Sequence, residues 1–315
     1  MYLSRQAVQD ENWYYFLYNH DIYKFNINTD VLTPLYTVPD HLSVWKLVKH
    51  GDKLFMSVKK KRFDNDWVGL LSVDVNTGVL DTAWAHTRTD DNIPFLVTPH
   101  IVSENGEEIV YFAIDHFQDG HPTNVSADMY CYNITKDKLL WKVDSFETQA
   151  SISTTPPVVN GNTLVKIGYR TIYGFDKGNG NLLWTYHSPD SDGHFAHGFL
   201  ANYGSNVLAK ADNDHFVSIN ASSGTINYDI ENTGYTPSWK YYIMDGVIFY
   251  TAVGDARFVA IRMADGERLM FHKNPPEKTI NEYADITYWY AIDKESRTGF
   301  VHDYSRITAF KIPEF

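Results

Sequence analysis

The feature that most constrains this chain is an internal repeat, of which Thr154–Trp184 is one complete copy. Within that copy, Thr163–Ile167, Thr171–Asp176 and Asn181–Tyr186 carry the β-branched, aliphatic and aromatic residues typical of strands. A short strand before them ends at Asn160-Gly161-Asn162, a turn of the kind that joins antiparallel strands. The copy therefore predicts a four-stranded antiparallel sheet. Such a sheet cannot bury both faces alone and needs neighbours of the same kind.

The rest of the chain consists of altered copies, which align on the turn between the third and fourth strands. That turn follows a strand of the pattern apolar-x-apolar-Asp/Asn and has a sequence similar to Asn-Thr-Gly. The aligned segments are Tyr23–Asp30, Leu71–Gly78, Tyr130–Asp137, Tyr173–Gly180, Val217–Gly224 and Val259–Gly266, with a seventh copy at Ile307–Phe310. The first six turns follow one another at steps of 48, 59, 43, 44 and 42 residues.

A period in the low forties with four strands in each unit is the signature of a β-propeller blade. We therefore expect an all-β fold, a seven-bladed β-propeller forming one domain over residues 1–315. Strands at 2–8, 13–18, 21–27 and 31–36 are expected to form the first blade. Strands at 286–292, 299–303 and 306–312 leave the last blade without a fourth, so its outer edge is either open or covered by another segment.

The repeat resembles that of the PQQ-like (pyrroloquinoline-quinone-dehydrogenase-type) propellers, and Val165–Trp184 carries the resemblance best. In that family a tryptophan of the fourth strand packs between adjacent blades. The resemblance implies that role for Trp141 and Trp184, and for Tyr228, which stands where the tryptophan belongs. In the second copy the candidate is Trp84, displaced by two residues. Met270 in the sixth copy and Pro34 in the first occupy the tryptophan position. Quinone-dependent enzymes of the family have eight blades and longer chains, so we expect a non-enzymatic member without a cofactor.

Composition narrows the classes of partner. The net charge of −12 argues against nucleic acid or an anionic membrane surface as a partner and suits a basic protein. The single cysteine, Cys131, is expected to be a small buried apolar residue on a strand. No secretory signal is visible at the N-terminus, which predicts a cytoplasmic protein. We expect a monomer.

The lengths of the predicted loops differ between the two faces of the propeller. First-to-second and third-to-fourth connections are short, whereas all large insertions fall in second-to-third connections or between blades. These insertions are Lys59–Trp67, Asp115–Ala127, His86–Pro94, His187–Gly198 and Lys273–Asp285. Insertions confined to one face usually mark a binding face.

The insertions supply the candidate binding residues. Lys59, Lys60, Lys61 and Arg62 form a strong basic run, followed by Trp67, and they are either a solvated loop or a contact for an acidic or phosphate group. Further candidates on this face are His116, Asp119, His121, Asp190, Asp192, His194 and His197. We expect no metal site: the calcium-like run at Asp190 and Asp192 lacks its acidic twelfth residue, and loop histidines have no enforced geometry.

The sequence contains no Gly-x-Ser-x-Gly elbow, His-Glu-x-x-His helix or phosphate-binding glycine loop. No catalytic residue is assigned, and enzymatic activity stays open with binding favoured. We expect a binding scaffold that recognises another protein through the face of long loops; one form would neutralise a basic partner such as a toxin. The alternative is a carbohydrate-binding protein, hydrolase or lyase with its site at the mouth of the central channel.

Overall fold

A computed structural model describes residues 7–60, 67–87, 92–118, 121–148, 155–189, 195, 199–210, 215–231, 241–252, 257–272, 289–303 and 306–314. These residues form strands and turns, with no helix among them, and the strands assemble into seven antiparallel sheets. The chain divides into two compact units, Met1–Ile152 and Ser153–Phe315. Each unit contains whole sheets only. That residues 1–315 form one domain stays a prediction.

Unit 1 contains three sheets. Sheet 1 comprises β1 (Ala7–Asp10), β2 (Trp13–Tyr18), β3 (Asp21–Asn26) and β4 (Val31–Thr37), and sheet 2 comprises β5 (Leu42–His50), β6 (Lys53–Lys60), β7 (Trp67–Asp74) and β8 (Leu80–Thr87). Sheet 3 has five strands: β9 (Asn92–Leu96), β10 (His100–Glu104), β11 (Glu107–Gln118), β12 (His121–Asn133) and β13 (Lys138–Glu147). Strands β9 and β10 both pair with β11, one after the other along the same edge.

Unit 2 contains four sheets. Sheet 4 comprises β14 (Val158–Asn160), β15 (Thr163–Ile167), β16 (Thr171–Asp176) and β17 (Leu182–His187); sheet 5 comprises β18 (Phe199–Tyr203), β19 (Asn206–Lys210), β20 (Phe216–Asn220) and β21 (Ile226–Ile230). Sheet 6 comprises β22 (Tyr242–Met244), β23 (Val247–Ala252), β24 (Arg257–Arg262) and β25 (Arg268–His272); sheet 7 comprises β26 (Trp289–Asp293), β27 (Thr298–Asp303) and β28 (Arg306–Lys311).

The predicted fold class is confirmed: this is an all-β, seven-bladed β-propeller of four-stranded antiparallel blades with three strands in the last blade. One backbone hydrogen bond recurs in every sheet, from the N–H just after the third strand to a carbonyl near the first-to-second turn. In sheet 7 it joins Ile312 N to Arg297 O at 2.8 Å. That bond identifies β28 as a third strand, in agreement with the predicted copy at Ile307–Phe310.

The first predicted strand needs a correction. The sequence predicts it at residues 2–8, whereas β1 runs from Ala7 to Asp10 and pairs with β2 in the register Ala7 to Phe16. The turn Glu11–Asn12 sets this position, because the two strands pair outward from it. Residues 1–6 lie outside the described part of the chain.

The turn after each third strand has a local chemical cause. In sheet 5 the Asn220 Oδ1 accepts hydrogen bonds from the backbone N–H groups of Ser222 and Ser223, and Gly224 closes the turn with a φ of 72°. Asp74 and Asp176 accept equivalent pairs of bonds in sheets 2 and 4. Asx side chains stabilise such turns, and glycine takes positive φ without steric cost.

The core lies between successive sheets. Five clusters of buried apolar residues fill the spaces between sheets 1 and 2, 2 and 3, 4 and 5, 5 and 6, and 6 and 7. Phe55 and Phe112 are fully buried between sheets 2 and 3, where large rings fill the wedge between twisted sheets. Cys131 is buried in sheet 3, as predicted.

The fourth-strand aromatics contact the neighbouring sheet at a repeated position. The Trp184 Nε1–H donates to Ala221 O (2.8 Å), and the Tyr228 hydroxyl donates to Met263 O (2.9 Å). Both acceptors directly follow a third strand. In sheet 1, where Pro34 takes the aromatic's place, the Lys24 ammonium donates to the equivalent Val75 O (2.9 Å).

Trp84 packs between sheets 2 and 3, with ring centroids 4.7 Å from Phe112 and 5.8 Å from Tyr130. Its two-residue displacement follows from the bulge in β7–β8, which lies two residues further from the turn than the bulge in β16–β17. A shift of two keeps a side chain on the same face of a strand. Trp141 is buried, with its ring 6.1 Å from Tyr111 of its own sheet; the Met270 side chain lies outside the description.

Candidate functional site

The two ends of the sheets in unit 1 differ. At one end, the first-to-second and third-to-fourth connections have at most five residues. At the other end, residues 61–66 join β6 to β7, residues 88–91 join β8 to β9, and β11 and β12 extend into a long hairpin. We call this second end the loop end of unit 1, and its described residues of interest are Leu17, Asn19, His20, Trp45, Lys59, Lys60 and Phe95.

The prediction of a loop at Asp115–Ala127 was wrong. Strands β11 and β12 continue through most of it, with Asp115 opposite Ala127 and His116 opposite Ser126. Residues 92–96 add β9 to the open edge of this extension, so that the backbone of β11 is hydrogen-bonded on both sides. The polar residues of the segment conceal its strand character, which depends on backbone pairing of β11 with both β9 and β12.

Lys59 is the predicted residue with the most informative surroundings. Its Nζ lies 4.5 Å from the centroid of the Trp45 ring, within the range of a cation–π contact. Partial burial lowers the pKa of the Lys59 ammonium. Among the described residues, no carboxylate pairs with this ammonium. Lys60 is the next residue, at the end of β6, and Lys61 and Arg62 lie outside the described residues.

Trp45 and Phe95 were missed by the sequence analysis. Trp45 lies at an irregularity of β5, where the pairing with β6 shifts between Val44 and Lys46. The bulge re-aims its side chain, which is 39% exposed and meets the Phe95 ring edge-on at a centroid distance of 4.9 Å. Because a bulge leaves no distinct sequence signal, the sequence pattern gave no indication of this pair.

A cavity of about 150 Å³ opens at the same end, between sheets 1 and 2. Its walls combine apolar side chains with a few polar ones: Leu17, Val38, Leu42, Val44, Asn19, His20 and Ser43. Lys59 pairs with Val68 and lies on the face of sheet 2 toward sheet 3, whereas the cavity lies on the face toward sheet 1. The cavity and the Lys59 ammonium are therefore separate features of the same end, on opposite faces of sheet 2.

Trp67 has a packing role. Its side chain packs against the core cluster between sheets 1 and 2, and its ring lies over Gly69, where an added Cβ would be only 2.6 Å away. That ring is therefore held in place by the sheet, and a binding role for it stays a prediction.

His116 belongs to a charged cluster at the base of the extended hairpin. The buried Asp128 carboxylate lies 3.0 Å from His116 Nε2 and 2.9 Å from Lys142 Nζ, and it accepts a hydrogen bond from Ser145 N at 2.8 Å. Burial acts to raise the pKa of the Asp128 carboxyl, but the bonds from His116, Ser145 and Lys142 outweigh it and lower that pKa.

Comparable polar pairs join the third and fourth strands at the same end of other sheets. Thr37 donates to Asp21 (2.6 Å), Thr171 Oγ1 lies 3.0 Å from His187 Nδ1, and His215 Nδ1 lies 2.8 Å from Asp229 Oδ1. The bonds of Asp128 to Lys142 and Ser145 of β13 are the equivalent in sheet 3, and a contact repeated from sheet to sheet is explained by the fold itself. We therefore assign Asp128 to the structure of the sheet, and His116 contacts it from β11.

The remaining candidates cannot be placed. His121 begins β12, and its side chain lies beyond what the structure describes. Asp119, Asp190, Asp192, His194 and His197 are outside the described ranges. Within those ranges, no group of three His, Cys, Asp or Glu residues could hold a metal ion, and no helix is long and apolar enough to cross a membrane.

Comparison with known proteins places the chain in a family. Residues 125–314 match the family described as outer membrane protein assembly factor BamB. The chain belongs to the PQQ-like β-propeller family. No curated protein sequence matches it.

Solved structures resemble this PQQ-like propeller over nearly its whole length. BamB from Moraxella catarrhalis is 10% identical with a TM-score of 0.61, covering 99% of this chain and 83% of that one. A chain of the mitotic checkpoint complex is 9% identical with a TM-score of 0.61, covering 98% and 87%. A europium-containing methanol dehydrogenase is 12% identical with a TM-score of 0.58, covering 86% and 69%. At these identities the likeness shows the fold alone.

Within this PQQ-like propeller, the loop end of unit 1 is the best-defined candidate site. It combines an exposed indole, a cation without a charged partner among the described residues, and a cavity the size of one side chain. All three lie at the ends of paired strands, which hold them in fixed positions. The arrangement is suited to binding a group.

Proposed function

We propose that this chain is a non-catalytic scaffold that binds another protein through the loop end of unit 1. The observation that carries the proposal is the exposed Trp45, held between the Lys59 ammonium and the Phe95 ring. Tryptophan is enriched at the energetic centres of protein interfaces, since it buries a large area with few rotatable bonds. The cavity lined by Leu17 and Leu42 would receive one side chain of the partner.

The relatives support protein binding as the class of function. The matching family is described as an assembly factor, and one similar structure is that of a checkpoint complex. Both descriptions concern proteins that act in assemblies. Because a propeller fold serves many functions, we carry only protein binding over to this chain.

The charge of the chain favours a basic partner. A net charge of −12 attracts a positively charged protein over long range and accelerates its association. Neutralisation of a basic toxin would be one such function. The same charge disfavours nucleic acid, whose phosphates would be repelled.

Site-specific photo-crosslinking in the source cell tests the proposal. A photo-reactive phenylalanine analogue replaces Lys60 at the loop end of unit 1 in one variant and Asn76 in the opposite-end β7–β8 turn in another. We expect a discrete protein adduct from position 60 and none from position 76, because only the first position adjoins Trp45 and Lys59.

The circular dichroism spectrum and melting temperature of both variants serve as the control for folding. Equal crosslinking from both positions, or a discrete adduct from position 76 alone, would refute the proposal. Excess unlabelled wild-type chain should compete the adduct away, which separates a specific partner from random capture.

A further inference from the structure

The Lys59 ammonium is an incomplete ion pair. It is partly buried, lies 4.5 Å from the Trp45 ring centroid, and has no carboxylate partner among the described residues. Removing an ammonium from water costs free energy unless an anion or hydrogen-bond acceptors replace the water. The indole face compensates only part of this cost, because a cation–π contact is weaker than a desolvated ion pair.

Two other lysines of the same sheet show the contrast. Lys53, at the opposite end of β6, pairs with Glu108 at 3.1 Å, and Lys49 pairs with Asp10 at 2.9 Å. Lys59, by contrast, contacts Trp45 but has no counter-charge among the described residues. An anion supplied from outside the chain would complete it.

The surroundings of Lys59 indicate what carries that anion. The Trp45 and Phe95 rings offer apolar contact beside the ammonium, on the face of sheet 2 toward sheet 3. The methylene groups of an Asp or Glu side chain would pack against these rings while its carboxylate meets the ammonium.

We propose that Lys59 and Trp45 form a carboxylate-recognition site for an acidic side chain of a peptide segment of the protein partner. This inference rests on the proposed function and names the chemistry of the contact. It is compatible with a partner of net positive charge, because overall charge governs long-range attraction whereas the site reads one local carboxylate.

Fluorine NMR tests the inference directly. The chain has eight tryptophans, so labelling with 5-fluorotryptophan gives eight signals, and the Trp45→Phe variant identifies the one from Trp45. The probes are the blocked peptide Ac-Leu-Ala-Glu-Glu-Ala-Leu-NH2 and its analogue with glutamine at both glutamate positions. We expect the acidic peptide to shift the Trp45 signal and the glutamine peptide to bind at least about tenfold more weakly, as expected for loss of a charge-assisted contact.

Two lysine variants separate the site from general charge effects. Lys59→Gln should weaken binding of the acidic peptide about tenfold or more, while Lys59→Arg, which keeps the charge, should retain binding. Lys53→Gln is the matched control: it removes the same charge from the same strand at the other end and should leave binding unchanged.

The inference is overturned if the acidic peptide produces no shift up to about 10 mM, a concentration that fills even a millimolar site. It is equally overturned if both peptides bind alike or if Lys53→Gln weakens binding as much as Lys59→Gln. In any of these cases, a persistent crosslink from position 60 would show that protein binding stands without carboxylate recognition. Loss of both results would reject the proposed function as well.

Discussion

The indole N–H of Trp184 donates a hydrogen bond to the backbone carbonyl of Ala221, 2.8 Å away. Trp184 belongs to the last strand of sheet 4, and Ala221 begins the turn after the third strand of sheet 5. The hydroxyl of Tyr228 and the ammonium of Lys24 reach the corresponding carbonyls of their own neighbouring sheets. One carbonyl position thus joins successive sheets through three different donors, so tryptophan as such is not required there.

Removal of the indole donor should destabilise unit 2. We expect Trp184→Phe to lower the free energy of unfolding by about 1–2 kcal/mol, because the Ala221 carbonyl loses its partner in a partly buried place. Urea denaturation monitored by circular dichroism measures the change. Leu183→Ala is the control on the same strand: this side chain is 49% exposed, and a loss above about 0.5 kcal/mol there would contradict our account.

Gly224 should be sensitive for two separate reasons. Its φ is 72°, and a Cβ added to it would lie 2.6 Å from Cγ of Trp184. Gly204, in the first turn of the same sheet, has a φ of 56° but nothing within 4 Å of an added Cβ. We expect Gly204→Ala to cost about 1 kcal/mol through backbone strain alone, and Gly224→Ala to cost about 1–3 kcal/mol more through overpacking. Equal losses in urea denaturation would show that the close approach to Trp184 relaxes freely.

The sequence predicts the repeated parts of this fold because they depend on local chemistry. The Asn220 turn, its glycine and the Trp184 position each follow from residue types at fixed spacing. By contrast, the five-stranded sheet 3 was not predicted. Its additional pairing joins Ile114 to Leu96, and no local propensity of residues 92–96 specifies which edge they will extend.

The candidate site was predicted only in part. The basic run and the uneven loop lengths directed attention to Lys59, whereas its contact with Trp45 depends on a bulge in the β5–β6 register. A bulge displaces one residue without altering composition, so the aromatic partner of Lys59 becomes evident only once the strands are paired.

The Asp128 carboxylate should contribute strongly to the stability of unit 1. It is 6% exposed and is bonded to His116, Lys142 and Ser145, so we expect Asp128→Asn to cost about 2–3 kcal/mol at neutral pH. Asp144 pairs with the same Lys142 but has a side chain that is 76% exposed, and Asp144→Asn should cost less than about 1 kcal/mol. Urea denaturation of the two variants compares a buried and an exposed partner of one lysine.

The pH dependence of the Asp128 effect has a definite sign. Because the folded pKa of its carboxyl is lowered, its contribution is complete above the ordinary value of 3.8 and is lost as the pH falls below that value. The difference between wild type and Asp128→Asn should therefore be constant near neutral pH and diminish in acid. A difference that grew on acidification would contradict the assignment.

His100 should make the stability of the chain depend on pH at higher values. It lies in β10, where burial and, to a lesser degree, the nearby His50 lower the pKa of its imidazole below 6.5. As the pH falls below 6.5, the unfolded chain takes up a proton that the folded chain resists, so the free energy of unfolding decreases, by at most about 1.4 kcal/mol per pH unit for one group. We expect His100→Gln to reduce this decrease between about pH 7.5 and pH 5.5, as measured by urea denaturation at a series of pH values.

His41→Gln, at an exposed position between sheets 1 and 2, controls for the loss of a histidine as such. If the wild type and His100→Gln lose stability with the same slope, another group is responsible for the acid sensitivity of unit 1.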